Sequence, residues 1–300
     1  MACGVLCSIV CAAVMLPGVA SPASAGCVWQ QLGPSFLGAR KNAAAVNQNG
    51  TLVVLGGRPL VGQASTVHYL PPGATTWLSG TPIDPARNSP AAGLNAAGQI
   101  IVTGGWGFDD TGGGVIVANT GFLYDLTNGA TGTLASMDPL RARAFFAFAN
   151  DNLNRLYILG GDDTSGVAWN LADRYDPVTD AWTALANLPQ PRSDPAAVYD
   201  GAGHVLVIGG ANAAGSPQTT VFSFDIATST WSTLAPQPAA LMQQAAVLGA
   251  DGRVYVVGGS AGGPGPAASV YVFDPTLTQW STGPSLNVPR LGTAVVLGSD

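Results

Sequence analysis

The chain has 300 residues, of which 47% are hydrophobic and only 9% are charged, and this balance excludes a disordered protein. All 17 acidic residues are Asp, Glu is absent, and Lys41 is the single lysine among 11 basic residues. Because Glu, Lys and Gln normally furnish the exposed faces of helices, this composition argues against helical bundles and doubly wound α/β folds and favours an all-β protein. A net charge of −6 without a basic stripe argues against nucleic acid as a partner.

The N-terminus has the pattern of a secretory signal. Residues 4–20 are apolar, and Ala23-Ser24-Ala25 then offers the small residues that a signal peptidase reads. We predict a signal peptide over residues 1–25, a mature chain over 26–300 without a transmembrane span, and a secreted, periplasmic or cell-envelope location. The apolar run lacks a preceding Lys or Arg, and Pro17 makes it short for the alternative, a membrane anchor.

The predicted cleavage changes the meaning of the four cysteines. Cys3, Cys7 and Cys11 lie inside the predicted signal, so only Cys27 remains and no internal disulfide can form. The residues before Cys27 loosely resemble a bacterial lipobox, which makes a lipid anchor at Cys27 one prediction and a free thiol near the terminus the other.

Five β-rich runs each end in a pair of glycines, and the second glycines are 48, 56, 49 and 49 residues apart. Self-similarity at this period is typical of repeat architectures. The pairs are Gly56-Gly57, Gly104-Gly105, Gly160-Gly161, Gly209-Gly210 and Gly258-Gly259.

Each glycine pair has a recurring context. An apolar run precedes it, joined by a short turn such as Asn49-Gly50, which is a strong hairpin signal. An aromatic residue followed by Asp, and then a tryptophan, come after it. Each repeat therefore predicts four strands: a before the turn, b ending at the glycines, c ending at the aromatic-Asp step, and d at the tryptophan. The aromatic and tryptophan positions include Tyr124, Tyr175, Trp77, Trp182, Trp231 and Trp280, with Thr131 in the tryptophan position of the second repeat.

These motifs at this spacing resemble kelch repeats, and the resemblance covers residues 29–300. It implies a β-propeller of four-stranded blades. It also implies that the glycines let strand b end close to the neighbouring blade and that the tryptophan packs between blades. The glycine pairs, aromatic residues and tryptophans are then structural residues.

The two ends of the chain carry matching fragments of one further repeat. Pro289-Arg290 matches Pro191-Arg192, which predicts strand a of a sixth repeat near 290–297. Trp29 predicts strand d of the closing blade near 29–33. We expect six blades with the last incomplete, because its glycine pair would fall at about 307 and 308 by the repeat length. A five-bladed ring with ragged ends is the alternative.

One face of the predicted propeller collects the candidate binding residues. Strands a and b are antiparallel, so the d–a loops and the b–c loops share one end of each blade. An Arg precedes most strands a, and kelch propellers place strand a innermost, so these arginines surround the channel as an anion or carboxylate site or as braces that bond backbone carbonyls. The candidate arginines are Arg40, Arg58, Arg87, Arg143, Arg192 and Arg290.

The b–c loops differ between repeats and add aromatic and acidic residues. Aromatic faces beside carboxylates suit sugar rings; a solvated acidic turn and a calcium loop are the other interpretations. The candidates from these loops are Trp106, Asp109, Asp110, Asp162, Asp163 and Trp169.

These features favour a monomeric secreted or envelope binding module whose ligand is a carbohydrate or a protein, with no cofactor and no metal. The resemblance supplies an alternative, a carbohydrate-active enzyme of the sialic-acid mutarotase type, in which one of these Asp residues would act as acid or base. A copper oxidase of the galactose oxidase type is not favoured, because the two histidines, His68 and His204, fall in different repeats. The fold alone decides no function, and catalysis is the less favoured interpretation.

Overall fold

The computed structural model describes the backbone of residues 5–7, 13–16 and 28–31, and it describes residues 40–59, 65–108, 115–163, 165–263 and 265–298, apart from the side chains of 59, 108, 115 and 116. Cys27, Asp109 and Asp110 lie outside the described residues. The N-terminal strands β1 (Val5–Cys7), β2 (Ala13–Leu16) and β3 (Val28–Gln31) form an antiparallel three-stranded sheet. Residues 29–31 of the predicted strand d lie in β3, which pairs with β2 and not with a blade, while residues 32 and 33 lie outside the described residues. The signal peptide and lipid anchor stay predictions.

Five four-stranded antiparallel sheets follow in chain order, each with its strands in sequence order a, b, c, d. The first two also carry a small two-stranded ladder at the b–c loop. The first repeat contains β4 (Arg40–Lys41), β5 (Ala44–Gln48), β6 (Thr51–Leu55), β7 (Arg58–Pro59), β8 (Val67–Leu70) and β9 (Leu78–Gly80). The second contains β10 (Ala91–Leu94), β11 (Ile100–Thr103), β12 (Trp106–Phe108), β13 (Val115–Val117), β14 (Gly121–Asp125) and β15 (Gly129–Leu134).

The remaining three sheets contain four strands each. The third is β16 (Ala147–Asn150), β17 (Leu156–Leu159), β18 (Ala172–Asp176) and β19 (Ala181–Ala184), preceded by a 3₁₀ turn at Pro139–Arg141. The fourth is β20 (Ala196–Tyr199), β21 (His204–Ile208), β22 (Val221–Asp225) and β23 (Thr230–Leu234), and the fifth is β24 (Ala245–Leu248), β25 (Val254–Val257), β26 (Val270–Asp274) and β27 (Gln279–Thr282). No helix among the described residues is long and apolar enough to cross a membrane.

The burial of each strand explains its composition. Strands b are almost wholly buried, as in β11, β17 and β25, because they face a neighbouring blade on both sides. Unbroken runs of Val, Ile and Leu satisfy both faces at once. Strands d lie at the outer edge and are mostly exposed, so they carry Thr, Ser and Gln.

The tryptophans join successive blades as the sequence predicts. Trp182 stands directly opposite Tyr175 in the ladder, with ring centroids 5.2 Å apart, and its indole N–H donates to the carbonyl of Ala135 in the preceding repeat at 2.9 Å. Trp231 and Trp280 repeat this arrangement, donating to Ala186 and Ala235 at 2.8 and 3.0 Å. Each indole therefore packs within its own blade and bonds to the preceding one.

The described residues form five four-stranded blades, and the expected six are not seen among them. Residues 290–297, predicted as strand a of a sixth repeat, belong to none of the described sheets. They nevertheless link the fifth blade to the first: the carbonyl of Arg290 accepts from Gly259 N at 2.7 Å and that of Gly292 accepts from Asn42 N at 2.8 Å. A complete sixth blade requires strands b and c beside this segment, and the described residues do not supply them.

Candidate functional site

The arginines of the d–a loops point into the blades. Arg143 is 1% exposed and its guanidinium donates to the carbonyls of Gly160 at 2.6 Å and Ile158 at 2.8 Å. It also pairs with Asp173 at 2.6 Å, and Asp173 pairs with Arg141 at the same distance. Burial lowers the pKa of Arg143, and the charge of Asp173 opposes that shift. This guanidinium is satisfied entirely by its own blade.

The other buried arginines are held in the same manner. Arg40 donates to the carbonyl of Gly56 at 3.2 Å, and Arg87 donates to the hydroxyl of Thr120 at 2.7 Å. Arg192 donates to the carbonyl of Pro191 at 2.7 Å and to the hydroxyl of Thr220, and its guanidinium lies 5.0 Å from the ring centre of Phe222. Burial lowers the pKa of Arg40 and of Arg192. In this geometry these side chains brace the blades, which is the second of the two interpretations given above.

The backbone at the same positions joins each blade to the next. The N–H of Gly161 donates to the carbonyl of Arg192 at 2.7 Å. A Cβ atom on Gly160, whose φ is +65°, would lie 2.5 Å from that carbonyl oxygen, so the first glycine of the pair leaves no room for a side chain. In the fifth repeat Leu241 supplies the same carbonyl to Gly210 at 2.9 Å. The backbone link thus persists where the arginine is absent.

Arg58 and Arg290 lie closer to solvent. Arg58 is exposed and stands opposite Lys41 in the β4–β7 ladder. Arg290 is half-buried. Among the residues that the structure describes, neither Arg58 nor Lys41 takes part in an ion pair. The accessible positive charge of this face is therefore concentrated beside the first blade.

The b–c loops meet the d–a loops at the face where the sequence puts them together. Trp106 bridges to Asn88, and its ring packs edge-on against Phe145 with centroids 5.1 Å apart. Asp162 bridges to Ala144 in the same way. The residue directly after each glycine pair thus lies beside a d–a loop; Arg58, Trp106 and Asp162 are the equivalents in the first three blades.

The two acidic residues of the third b–c loop differ in environment. Asp162 is 9% exposed and accepts from the Ser193 hydroxyl at 2.9 Å; burial raises its pKa to about 6, against the effect of that hydrogen bond. Asp163 closes a turn by accepting from the Ser165 hydroxyl at 2.6 Å, and this bond lowers its pKa. Trp169 is half-buried, and its backbone N–H donates to the carbonyl of Gly161 at 2.8 Å. Of the two acidic residues in this loop, Asp162 is buried and Asp163 is not.

The d–a loop of each repeat has an arginine position, which Leu241 occupies in the fifth repeat. The residue two places after this position lines the mouth of the central channel, and we call the six residues so defined the mouth ring. All have a positive φ, between 50° and 60°, and backbone hydrogen bonds of 2.7–3.0 Å join them in order at five of the six links. The mouth ring consists of Asn42, Ser89, Phe145, Asp194, Gln243 and Gly292.

The mouth ring encloses a cavity of about 140 Å³ that continues inward along strands a. Its deeper wall is apolar and is formed largely by alanines with Phe146 and Phe148. Beyond it, a second cavity of about 350 Å³ opens around residues such as Asn150 and Tyr199. The channel is therefore polar at the mouth and apolar below.

Among the described residues that line the mouth cavity, Asp194 alone carries a carboxylate. It accepts from the Gln243 side-chain amide at 3.1 Å. Burial raises the pKa of Asp194 to about 7; the Gln243 bond and Lys41 oppose the shift, and Asp162 adds to it. Although solvent reaches part of the residue, protein atoms surround the carboxyl deep in the mouth, so burial dominates. Burial thus favours the neutral form of Asp194 more than that of an exposed Asp.

Several buried polar atoms around this cavity have no hydrogen-bond partner among the described residues. They include Asn42 Nδ2, Ser89 Oγ, Gln244 Oε1 and Thr293 Oγ1, and all four residues line the cavity. Gln244 is 5% exposed, and its Nε2 donates to Ile208 O and Gln237 Oε1. Its Oε1 has no donor among the described residues. Unpaired buried polar atoms are uncommon and mark places where a water or ligand completes the bonding.

The mouth ring was missed by the sequence interpretation, which followed the recurring arginines. The signal was available by counting, because Asp194 follows Arg192 by two residues and Asn42 follows Arg40 by two. The two histidines are far apart in the ring: His68 lies buried in β8 of the first blade, and His204 lies at the start of β21 in the fourth, 2.8 Å from Asp200.

Comparisons with known proteins agree with this architecture. The family model described as "Kelch motif" matches residues 153–189, 191–238 and 243–287, which are the third to fifth repeats. Kelch-like protein 36 of Bos taurus is 31% identical over 122 residues, covering 41% of this chain and 19% of that protein. The chain thus corresponds to about a fifth of the length of this curated relative.

A solved structure, titled "Structure of YjhT", superposes with a TM-score of 0.74 at 14% sequence identity and covers 92% of this chain and 91% of that one. At this identity the likeness shows the fold alone. The matched motifs, the recurring glycine pairs and the stacked aromatic–tryptophan pairs show kelch repeats in residues 153–189, 191–238 and 243–287, and the five successive four-stranded sheets have the fold of a β-propeller.

Proposed function

We propose that this protein is a binding module that holds a small polar group, either a sugar ring or the end of a peptide, at the mouth of its central channel. One observation carries the proposal: Asp194 lines one cavity together with Asn42, Ser89 and Gln244, and each of these three residues has a buried side-chain atom without a hydrogen-bond partner among the described residues. Groups of both donor and acceptor type converge there above an apolar wall, which is the usual composition of a small-molecule site.

The mouth suits hydroxyl-rich ligands because each hydroxyl both donates and accepts. A hydroxyl can donate to Asp194 or Gln244 Oε1 and accept from Asn42 Nδ2. Phe145, with Trp106 behind it, gives an aromatic edge against which the C–H face of a sugar can pack. The predicted signal over residues 1–25 supports a role outside the cytoplasm, which is part of the proposal.

The buried arginines serve to hold the blades and are not part of the proposed ligand site. Arg87, Arg143 and Arg192 are at most 2% exposed, and each donates to its own repeat. A ligand could reach them only by displacing those bonds. The proposed site therefore uses the mouth ring, with Arg58 and Lys41 as the accessible cations at its edge.

The test is binding of a panel of monosaccharides and short peptides, measured by calorimetry and saturation-transfer NMR. Asp194→Asn is expected to weaken binding about tenfold, as loss of one charge-assisted hydrogen bond does. Asp225→Asn is the matched control: it changes a half-buried Asp of the same blade, at the end of β22, that does not line the mouth cavity. Equal binding by wild type and Asp194→Asn, for every ligand that binds, refutes the proposal.

A second candidate function is proton transfer on a sugar at the same mouth, as in a sialic-acid mutarotase. The observation that favours it is the pKa of about 7 at Asp194, because a carboxyl that titrates near neutral pH both gives and takes protons. Proton NMR of anomeric exchange in sialic acid and in glucose tests it. Acceleration that disappears in Asp194→Asn supports catalysis, and wild-type rates equal to buffer rule it out.

A further inference from the structure

Opposite sides of the mouth carry opposite charges. In the mouth ring, two residues separate Asn42 from Asp194 in either direction, so these two positions face each other across the opening. Lys41, the single lysine of the chain, directly precedes Asn42. Its Cβ lies close enough to the mouth to meet a Cβ built on Gly292 at 2.8 Å. A cation therefore stands beside one edge of the mouth and a carboxyl at the other.

The two charges do not neutralise each other directly. Lys41 and Asp194 form no ion pair in the described part of the chain, yet the charge of Lys41 lowers the pKa of Asp194. They are thus separated but near enough to interact: Asp194 lines the cavity, and Lys41 lies beside Asn42 and Gly292, which line it as well. Arg58 stands opposite Lys41 in the β4–β7 ladder and adds a second positive charge on that side.

The rest of the cavity lining among the described residues offers no opposite charge for Asp194 or Lys41. Asn42 Nδ2 and Gln244 Oε1 are neutral groups without partners among the described residues, and the deeper wall is formed by alanine and phenylalanine side chains. A singly charged ligand would pair with one side of the mouth and leave the other unpaired. A ligand with both charges would pair with both.

We propose that the mouth selects a small zwitterion of the amino-acid type, with its ammonium group at Asp194 and its carboxylate group toward Lys41. This inference rests on the proposed function and names the ligand class of the same site. The ammonium group donates to Asp194 and to Gln244 Oε1, the carboxylate accepts from Lys41 and from Asn42 Nδ2, and the hydrocarbon part lies against the apolar wall.

The experiment uses the series glycine, β-alanine, γ-aminobutyrate and 5-aminopentanoate, which varies the separation of the two charges. Butylamine and butyrate are the singly charged controls, and calorimetry on the purified protein measures affinity. We expect one member of the series to bind at least about tenfold more tightly than either singly charged compound, since it gains one further charge-assisted hydrogen bond.

Two variants assign the ends of the ligand. Asp194→Asn should weaken the zwitterion and butylamine and leave butyrate unchanged, whereas Lys41→Met should weaken the zwitterion and butyrate and leave butylamine unchanged. Arg253→Met, at an exposed pair with Asp251 in the a–b turn of the fifth blade, is the control for Lys41→Met. Thermal melts of each variant show that the protein is folded.

The outcomes separate this inference from the proposed function. Zwitterions that bind no more tightly than butylamine, or a Lys41→Met variant that binds them like wild type, overturn the inference. If neutral sugars still bind in a manner that depends on Asp194, the proposed function stands without it. If no ligand of either panel depends on Asp194, both are refuted.

Discussion

Arg143 offers the sharpest test of how the blades are held together. Replacing it with Leu, the residue that the fifth repeat has at this position, removes donors from the carbonyls of Gly160 and Ile158. It also leaves Asp173, whose side chain is 3% exposed, with Arg141 as its remaining cationic partner. Breaking a buried ion pair from one side costs about 3–5 kcal/mol, because the remaining charge stays desolvated.

We therefore expect Arg143→Leu to lower the free energy of unfolding by about 3–5 kcal/mol. At about 2–4 °C per kcal/mol for a chain of this size, the melting temperature falls by roughly 6–20 °C. Urea denaturation followed by circular dichroism and tryptophan fluorescence measures the loss. The side chain is 1% exposed and does not line the mouth cavity, so ligand affinity of the folded variant should not change.

Arg192→Leu is the matched control, because Arg192 is equally buried but bonds Pro191, Gln190 and Thr220 and has no carboxylate partner. It should cost less than Arg143→Leu by about 1–2 kcal/mol, the value of the charged partner. Equal losses in the two variants, or a loss under about 1 kcal/mol for Arg143→Leu, would refute the argument that the Asp173 pair carries the difference.

Three further predictions address the blade contacts and the mouth. Gly160→Ala should lower the melting temperature more than Gly166→Ala. Both glycines have a positive φ, but an added Cβ would lie 2.5 Å from a carbonyl oxygen at Gly160 and would have no atom within 4 Å at Gly166. Equal losses in the two variants would contradict the close-contact explanation. The raised pKa of Asp194, about 7 against 3.8, gives a stability contribution that is complete below pH 4 and lost as pH rises through 7. Asp194→Asn should therefore raise the melting temperature at pH 8 relative to wild type and change it little at pH 4, and the same difference at both pH values would be contrary to this. Trp231→Phe should cost about 1 kcal/mol in urea unfolding by removing the indole bond to Ala186, and an unchanged midpoint would show that this bond contributes nothing.

Sequence periodicity predicted the strands well because both of its causes are local. A strand between two blades must be apolar on both faces, as in β17 and β25, and the first glycine of each pair must accept a positive φ beside a neighbouring carbonyl, as Gly160 does. Each requirement restricts the residue type at its own position, so an apolar run and a glycine pair recur in each repeat. The order of strands and the place of the tryptophans follow from them.

The candidate site was predicted less well, since recurrence marks the scaffold rather than the ligand. Arg143 and Arg192 recur because each blade needs the same brace, and both guanidinium groups donate to groups of their own repeat. Asp194 occupies a position that holds a different residue in every repeat, among them Asn42 and Gln243. Nothing in its sequence neighbourhood shows that the carboxyl is enclosed.

The sequence by itself predicted the kelch-type repeat, its four strands and the loop face, because these depend on residues that interact with the same partners in every repeat. Only the tertiary structure decided which side chains reach the channel, how many complete blades the ring contains and what charge lies at its mouth. The direction of a guanidinium group and the burial of a carboxyl depend on six repeat positions brought together from residues 40 to 298, which are distant in the chain. The arginines that the sequence suggested for the channel are largely inside the blades, and the mouth cavity is lined by Asp194, with Lys41 next to Asn42 on the opposite side.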